Sequence, residues 1–243
     1  MKKLITNIVL IILVSFSCFG QGGFISNNIS TDKKIEELIS KASMTDDDLY
    51  EIVQIIQKNG DFELGIRVMN VAVVTFPDNY YPYYMRGFYY KNLSNDKAAI
   101  ADFTQAIQLE PRYASSYLER GECYARLNDK IKARNDFNST IARIKELKKQ
   151  NLQYSGMEVA EQFALVGLGQ YQNVENWVKN YNGDDWYDIA CLFAKMNNKN
   201  KTLFYLNKAL ESGYENVEFI KRDGCMQWLA NSPEFIEIVE QYK

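Results

Sequence analysis

Histidine is absent from the 243-residue chain. That removes the commonest general base and the commonest metal ligand. Four cysteines remain, at Cys18, Cys123, Cys191 and Cys225. None forms a C-x-x-C pair, and no zinc-ligand spacing occurs. Cys123 and Cys191 fall within helical patterns, where a small apolar side chain packs well. Beyond residue 20 the cysteine count is odd, so at least one thiol stays free unless it pairs between molecules. One disulfide can form, and the sequence does not choose its partners. The triplet Asp46, Asp47 and Asp48 offers carboxylates. A calcium loop would need alternating ligands, a central Gly and a terminal Glu, and these are missing. After Thr45, the triplet reads instead as an N-capped acidic first turn. No Gly-rich phosphate loop and no G-x-S-x-G elbow is found, and no carboxylate pair stands out for acid–base work. The inventory points to a protein that is not an enzyme and has no cofactor or metal.

Charge narrows the partners. The chain carries 28 basic and 31 acidic residues. Its best basic run, Arg143, Lys145, Lys148 and Lys149, suits a solvated helix C-terminus. No long basic stripe is present, so nucleic acid is not expected as a ligand.

The first twenty residues read as a targeting signal. Lys2 and Lys3 precede an apolar run from Leu4 to Phe16, broken by Thr6, Asn7 and Ser15. Cys18-Phe19-Gly20 then places small residues three and one before a cleavage point. The run is short for a membrane span, so a bacterial secretory peptide cleaved after Gly20 is expected, giving a periplasmic or secreted chain. Cleavage would leave no membrane span and 26 basic residues against 31 acidic. The alternative is a lipoprotein anchored through Cys18, although Ser15 and Phe16 are unusual at the places before it. An uncleaved anchor is the remaining reading.

Behind the signal, residues 21–32 are polar and read as a flexible leader. Over 33–45, Ile35, Leu38, Ile39 and Ala42 share one face of a short amphipathic helix that would cap the array. From Asp46 onward a repeat sets in, with a period of about 34 residues. The stretch 80–113 reads YYPYYMRGFYYKNLSNDKAAIADFTQAIQLEPRY. Its first half carries Tyr83, Gly87 and Tyr90. Its second carries Ala99, Phe103 and Ala106, and Pro111 closes it. Units 46–79 and 114–147 follow the same register, with Gly60, Gly65, Met69 and Pro77 in one and Tyr117, Gly121, Tyr124, Ala133 and Phe137 in the other. Residues 148–182 read as a degenerate unit, and 183–216 return to the pattern with Trp186, Ala190, Phe193, Leu206 and Ala209. Residues 217–243 read as C-terminal capping helices, the last opening at Ser232-Pro233.

Aromatic, glycine, tyrosine, alanine and phenylalanine at these places closely resemble the tetratricopeptide repeat, a helix–turn–helix unit of about 34 residues. The resemblance runs from Asp46 to the C-terminus and is most specific over 46–147. The tail resembles the segment that often ends such arrays in exported bacterial proteins. The resemblance implies an all-α, right-handed α-solenoid whose first helices line a concave groove for a peptide or an extended partner segment. The groove places of the family fall here on Tyr50, Gln54, Gln57 and Lys58, then on Tyr81, Tyr84, Phe88, Lys91 and Asn92, then on Ser115, Leu118, Glu122, Ala125 and Arg126. Tyr81, Tyr84 and Phe88 would form an aromatic strip flanked by Lys58, Lys91 and Arg126. Such a strip suits an apolar peptide carrying acidic groups; it could equally pack against a neighbouring helix. The expected function is a non-enzymatic exported adaptor or assembly factor that binds a protein or peptide. The alternative is a structural subunit of a cell-envelope complex, using its convex face or termini.

Overall fold

Three times, one repeat length apart, the chain reverses through a left-handed residue followed by a helix cap. Gly60, Ser94 and Asn128 have φ of 64°, 59° and 61°. Asp61, Asn95 and Asp129 follow, and each side chain accepts from the backbone N–H three residues on. The left-handed residue ends one helix and the cap starts the next, so a two-residue signal makes each hairpin. Gly169 and Asn197 occupy the left-handed position in the two later units.

The computed structural model describes residues 34, 35, 37, 38, 45–154 and 156–242. The expected signal, the leader, Cys18 and part of the capping helix lie outside them. Helices follow in chain order: α1 (Asp46–Asn59), α2 (Phe62–Thr75), α3 (Tyr80–Asn92), α4 (Asp96–Leu109), α5 (Ala114–Arg126), α6 (Lys130–Lys149), α7 (Met157–Gly167), α8 (Tyr171–Lys179), α9 (Trp186–Lys195), α10 (Lys199–Glu211), α11 (Val217–Arg222) and α12 (Pro233–Gln241), with a 3₁₀ turn at Gln227–Leu229 before the last. The fold is an all-α solenoid of helix pairs. Successive helices pack on one another from α1 to α8, and α9 packs on α10. The first helices α3, α5, α7 and α9 stack side by side. Among the described residues no helix is long and apolar enough to cross a membrane.

The cores follow the repeat pattern. Gly87 lets α3 approach α4 so closely that a Cβ there would stand 2.9 Å from the Phe103 ring. Phe103 is fully buried with Ala99 and Cys123. Gly121 and Phe137 repeat the contact in the next pair. A ladder of ion pairs repeats as well. The Arg86 guanidinium donates to both oxygens of Asp102 and to Asn70, while Arg120 donates to both oxygens of Asp136 and to Thr104. Every member of one set lies a full repeat from its counterpart in the other.

At the N-terminal end, Ile35 and Leu38 are buried in the core of the first pair. At the other end, Phe235 and Val239 of α12 join Leu206 and Ala209 of α10 in one core. The short α11 does something the repeat pattern does not foretell: it packs on α1. The Arg222 guanidinium donates to the Gly60 carbonyl. Phe219 stands edge-on to Phe62, with ring centroids 6.0 Å apart. The same ring lies 6.1 Å from that of Tyr187 on α9. The C-terminal segment therefore crosses from the last pair to the first.

Candidate binding cavity

The concave side of the array holds a cavity of 910 Å³. First helices form one wall, and residues 212–228 form much of the other. Apolar surface comes from Phe88, Leu118, Phe163, Phe219 and Trp228.

Charged side chains meet in its wall. Lys91 lies in the last turn of α3. Glu119 and Glu122, three apart on α5, present their carboxylates on one helix face. The Lys91 ammonium donates to Glu119 and, at 3.0 Å, to Glu122. Lys195, the last residue of α9, reaches Glu122 at 2.8 Å. The side chains of Lys91 and Glu119 are 13% exposed and that of Glu122 is 14% exposed. Both ammoniums also lie near a ring face, Lys91 at Phe88 and Lys195 at Phe163. Burial by itself would raise the Glu122 carboxyl, but Lys195 and Lys91 outweigh it and hold the carboxyl down at about 2. Burial raises Glu119 against the pull of Lys91.

Four more carboxylates make a second part of the lining acidic. Asp184, Asp185, Asp188 and Asp223 line the cavity. Burial, with Asp185 and Asp223 nearby, lifts the Asp188 carboxyl to about 7. Asp223 is held in place: its Oδ2 accepts from the Tyr187 hydroxyl at 2.8 Å and its Oδ1 from the Cys225 N–H at 2.9 Å. Cys191, Asp223 and Cys225 bring three potential ligand atoms within 4.8 Å of one another.

The residues expected to form the groove divide into two groups. Phe88, Lys91, Asn92, Glu122 and Arg126 line the cavity together, with Gln57, Leu118 and Ala125. Tyr50, Lys58, Tyr81 and Tyr84 are not in its lining. Tyr50 is 58% exposed elsewhere. Lys58 pairs with Glu215 at 3.7 Å. Tyr81 packs on the first core, and burial raises its hydroxyl to about 12. Tyr84 meets Tyr113 edge-on and Phe103 at a tilt, with ring centroids 5.0 and 5.9 Å apart. The aromatic strip is thus split: Phe88 faces the cavity while Tyr81 and Tyr84 serve packing. The cations are also not available to an acidic ligand as the sequence reading expects. Lys91 is taken by Glu119 and Glu122, and Arg126 donates to Asp96 and to the Lys91 carbonyl. Asn92 donates to the Phe88 carbonyl of its own helix. With six carboxylates and three cations in the lining, the cavity leans acidic.

Glu119, Asp188, Lys195, Asp223 and Trp228 were not legible as site residues. Lys195 and Glu122 are far apart in the chain, and no local spacing pairs them. The one available signal is that Glu119 and Glu122 share a helix face on a first helix.

Comparison with known proteins bears on the centre of the chain. Residues 80–113 match the tetratricopeptide repeat family. A stretch of 87 residues is 32% identical to the UDP-N-acetylglucosamine–peptide N-acetylglucosaminyltransferase of Giardia intestinalis, covering 36% of this chain and 6% of that protein. A stretch of 56 residues is 34% identical to a chloroplastic protein of Arabidopsis thaliana, covering 23% of this chain and 17% of that protein. The chain spans less than a fifth of the length of either relative. It carries a tetratricopeptide repeat within an all-α array, an architecture whose concave surface serves protein binding.

Proposed function

We propose that this chain is a non-enzymatic repeat protein that holds a short segment of a protein partner in its concave cavity, as an adaptor or assembly factor. The observation that supports this best is the cavity's make-up. It combines aromatic and aliphatic wall with a few convergent charged groups, and its size is that of a ligand site. Its charge selects the ligand. Lys91 and Lys195 are neutralised by Glu119 and Glu122, while no cation among the described residues stands against Asp188. An apolar peptide with a Lys, an Arg or a free amine fits that part of the lining, and an acidic peptide meets repulsion. Export belongs to the same proposal and rests on residues 1–20 of the sequence, with cleavage after Gly20 or lipidation at Cys18.

A peptide library displayed on phage and panned on the full chain tests the reading. Retained peptides should be rich in Lys or Arg beside Phe, Leu or Met. Phe88→Ala and Trp228→Ala should each weaken them at least about tenfold, as loss of an aromatic anchor does. Retention without basic enrichment, or unchanged by both substitutions, would sink the cavity assignment. Binding would then belong to the convex face, as a structural subunit would use it.

A further inference from the structure

We propose that Cys191 and Cys225 are a redox pair that closes into a disulfide and fastens the segment crossing the concave face. The inference goes beyond the peptide-binding reading and does not rest on it.

The two Sγ atoms lie 2.6 Å apart, although the residues are 34 positions apart in the chain. A disulfide needs about 2.04 Å between sulfurs and a close approach of the two Cβ atoms. A tetrahedral zinc dithiolate, with metal–sulfur bonds of about 2.3 Å, would spread the sulfurs to about 3.8 Å. The observed separation is nearer to that of a disulfide than to that of a zinc dithiolate.

The approach is built into the surroundings. Tyr187 and Cys191 are four residues apart on α9 and face the same side. The Tyr187 hydroxyl donates to Asp223 Oδ2, and Asp223 Oδ1 accepts from the Cys225 N–H, both within 2.9 Å. Asp223 thus folds the turn after α11 so that Cys225 faces Cys191. Asp223 is a positioning residue here. Cys191 is 4% exposed, and Cys225 is half-buried and faces the cavity. Cys123 is fully buried in a different core, with Ala99 and Phe103. It supplies an internal control.

The chemistry balances with a small-molecule disulfide such as oxidised glutathione. Cys225, the thiol that the cavity exposes, attacks one sulfur of that disulfide as its thiolate and expels one glutathione thiolate. The Cys191 thiolate then attacks the Cys225 sulfur and expels the second. Two protein thiols are oxidised, one glutathione disulfide is reduced, and the two protons end on the two glutathiones. Burial raises both thiols, Cys225 to about 11 and Cys191 well above its usual value. The thiolate fraction therefore limits the rate, which should rise nearly tenfold per pH unit from pH 7 to 9. The export proposed above would place the chain where disulfides form and persist. Once formed, the bond ties α9 to the turn that carries α11 onto α1.

The test uses the full chain without substitution. It is held in oxidised glutathione, quenched with acid, unfolded in N-ethylmaleimide and mapped by peptide mass. The expected product is one linked peptide pair containing Cys191 and Cys225, two hydrogens lighter than its free parts, with Cys123 alkylated. Separate alkylation of Cys191 and Cys225, or a link from either to Cys123, would overturn the proposal. So would reduced chain that retains one equivalent of added zinc and thereby loses alkylation at both sites. A second measurement reads the fastening. Reduction should lower the melting temperature by about 5 °C or more, as opening a loop of this length implies. Cys191→Ser and Cys225→Ser should each abolish that shift, and Cys123→Ser should keep it. A melting temperature indifferent to reduction in a chain shown to be linked would refute the fastening.

Discussion

At the residue scale the telling feature is the set Lys91, Glu119, Glu122 and Lys195. A buried ion pair is costly to assemble, and removing one partner strands the other. Glu122 joins cations from α3 and α9. Glu122→Ala should therefore cost about 3 kcal/mol in urea unfolding, more than any exposed Glu→Ala. A loss below about 1 kcal/mol would show that the cations find other partners. Asp188 behaves oppositely. Folded, its carboxyl titrates at about 7 against an ordinary 3.8. Between those values the folded state binds more protons than the unfolded, so this group's contribution to stability falls as pH rises and is lowest above pH 7. Asp188→Asn removes that loss. The variant should exceed wild type at pH 8 by on the order of 2 kcal/mol, after allowance for the solvent that reaches this half-buried side chain. The two chains should converge towards pH 3.5. An equal difference at both pH values would show that the effect is packing and not ionisation.

At the scale of the element, the helix hairpin explains itself. Its turn needs one left-handed residue and one cap. Gly60 and Asn128 suit φ near 60°, but Ser94 in the central unit does not. Ser94→Gly should raise stability by about 0.5–1 kcal/mol, because the native φ is already one that Gly accepts and L side chains resist. A destabilisation measured by denaturant midpoint would mean that the Ser94 side chain makes a contact worth more than the strain. Within the hairpin, Gly87 sets the helix separation against Phe103. Gly87→Leu should cost about 3 kcal/mol or more, since overpacking must move a ring that has no free space. A midpoint within a few tenths of a kcal/mol of wild type would refute this. The bidentate pairs Arg86–Asp102 and Arg120–Asp136 hold each hairpin from the side. Arg and Asp recur at the repeat period in the chain, but it is the structure that shows them paired.

At the scale of the whole molecule, contact between the ends changes how an array behaves. An open stack is held by neighbour contacts alone and frays from its ends. Here Phe219 packs between Phe62 and Tyr187, and Arg222 caps the end of α1 at the Gly60 carbonyl. Phe219→Ala should cost about 3 kcal/mol. It should also raise hydrogen exchange in α1 and α11 together, though they lie far apart in sequence. Faster exchange confined to α11 would show that the first pair gains nothing from the closure. The same contact turns a groove open at both sides into a cavity with a second wall.

The division between sequence and structure follows the range of the interactions. The sequence by itself determined what depends on local spacing: the repeat period, the hairpin turns and the all-α solenoid. Helix hydrogen bonds, caps and i,i+4 contacts span a few residues, so pattern reveals them. The resemblance to the repeat family assigned Phe88, Lys91, Asn92, Glu122 and Arg126 to a groove, and these five line the cavity. It left open whether the aromatic strip faces a ligand or packs on a neighbour, and Tyr113 and the first core draw Tyr81 and Tyr84 into packing. Only the tertiary structure decided the pairing of Lys195 with Glu122, the contact of Cys191 with Cys225 and the hydrogen bond from Arg222 to Gly60 across 162 positions. The hydrogen bond from Arg222 to Gly60 depends on the small rotation from one hairpin to the next, summed along the array. That sum brings α11 back to α1, and no single repeat contains it.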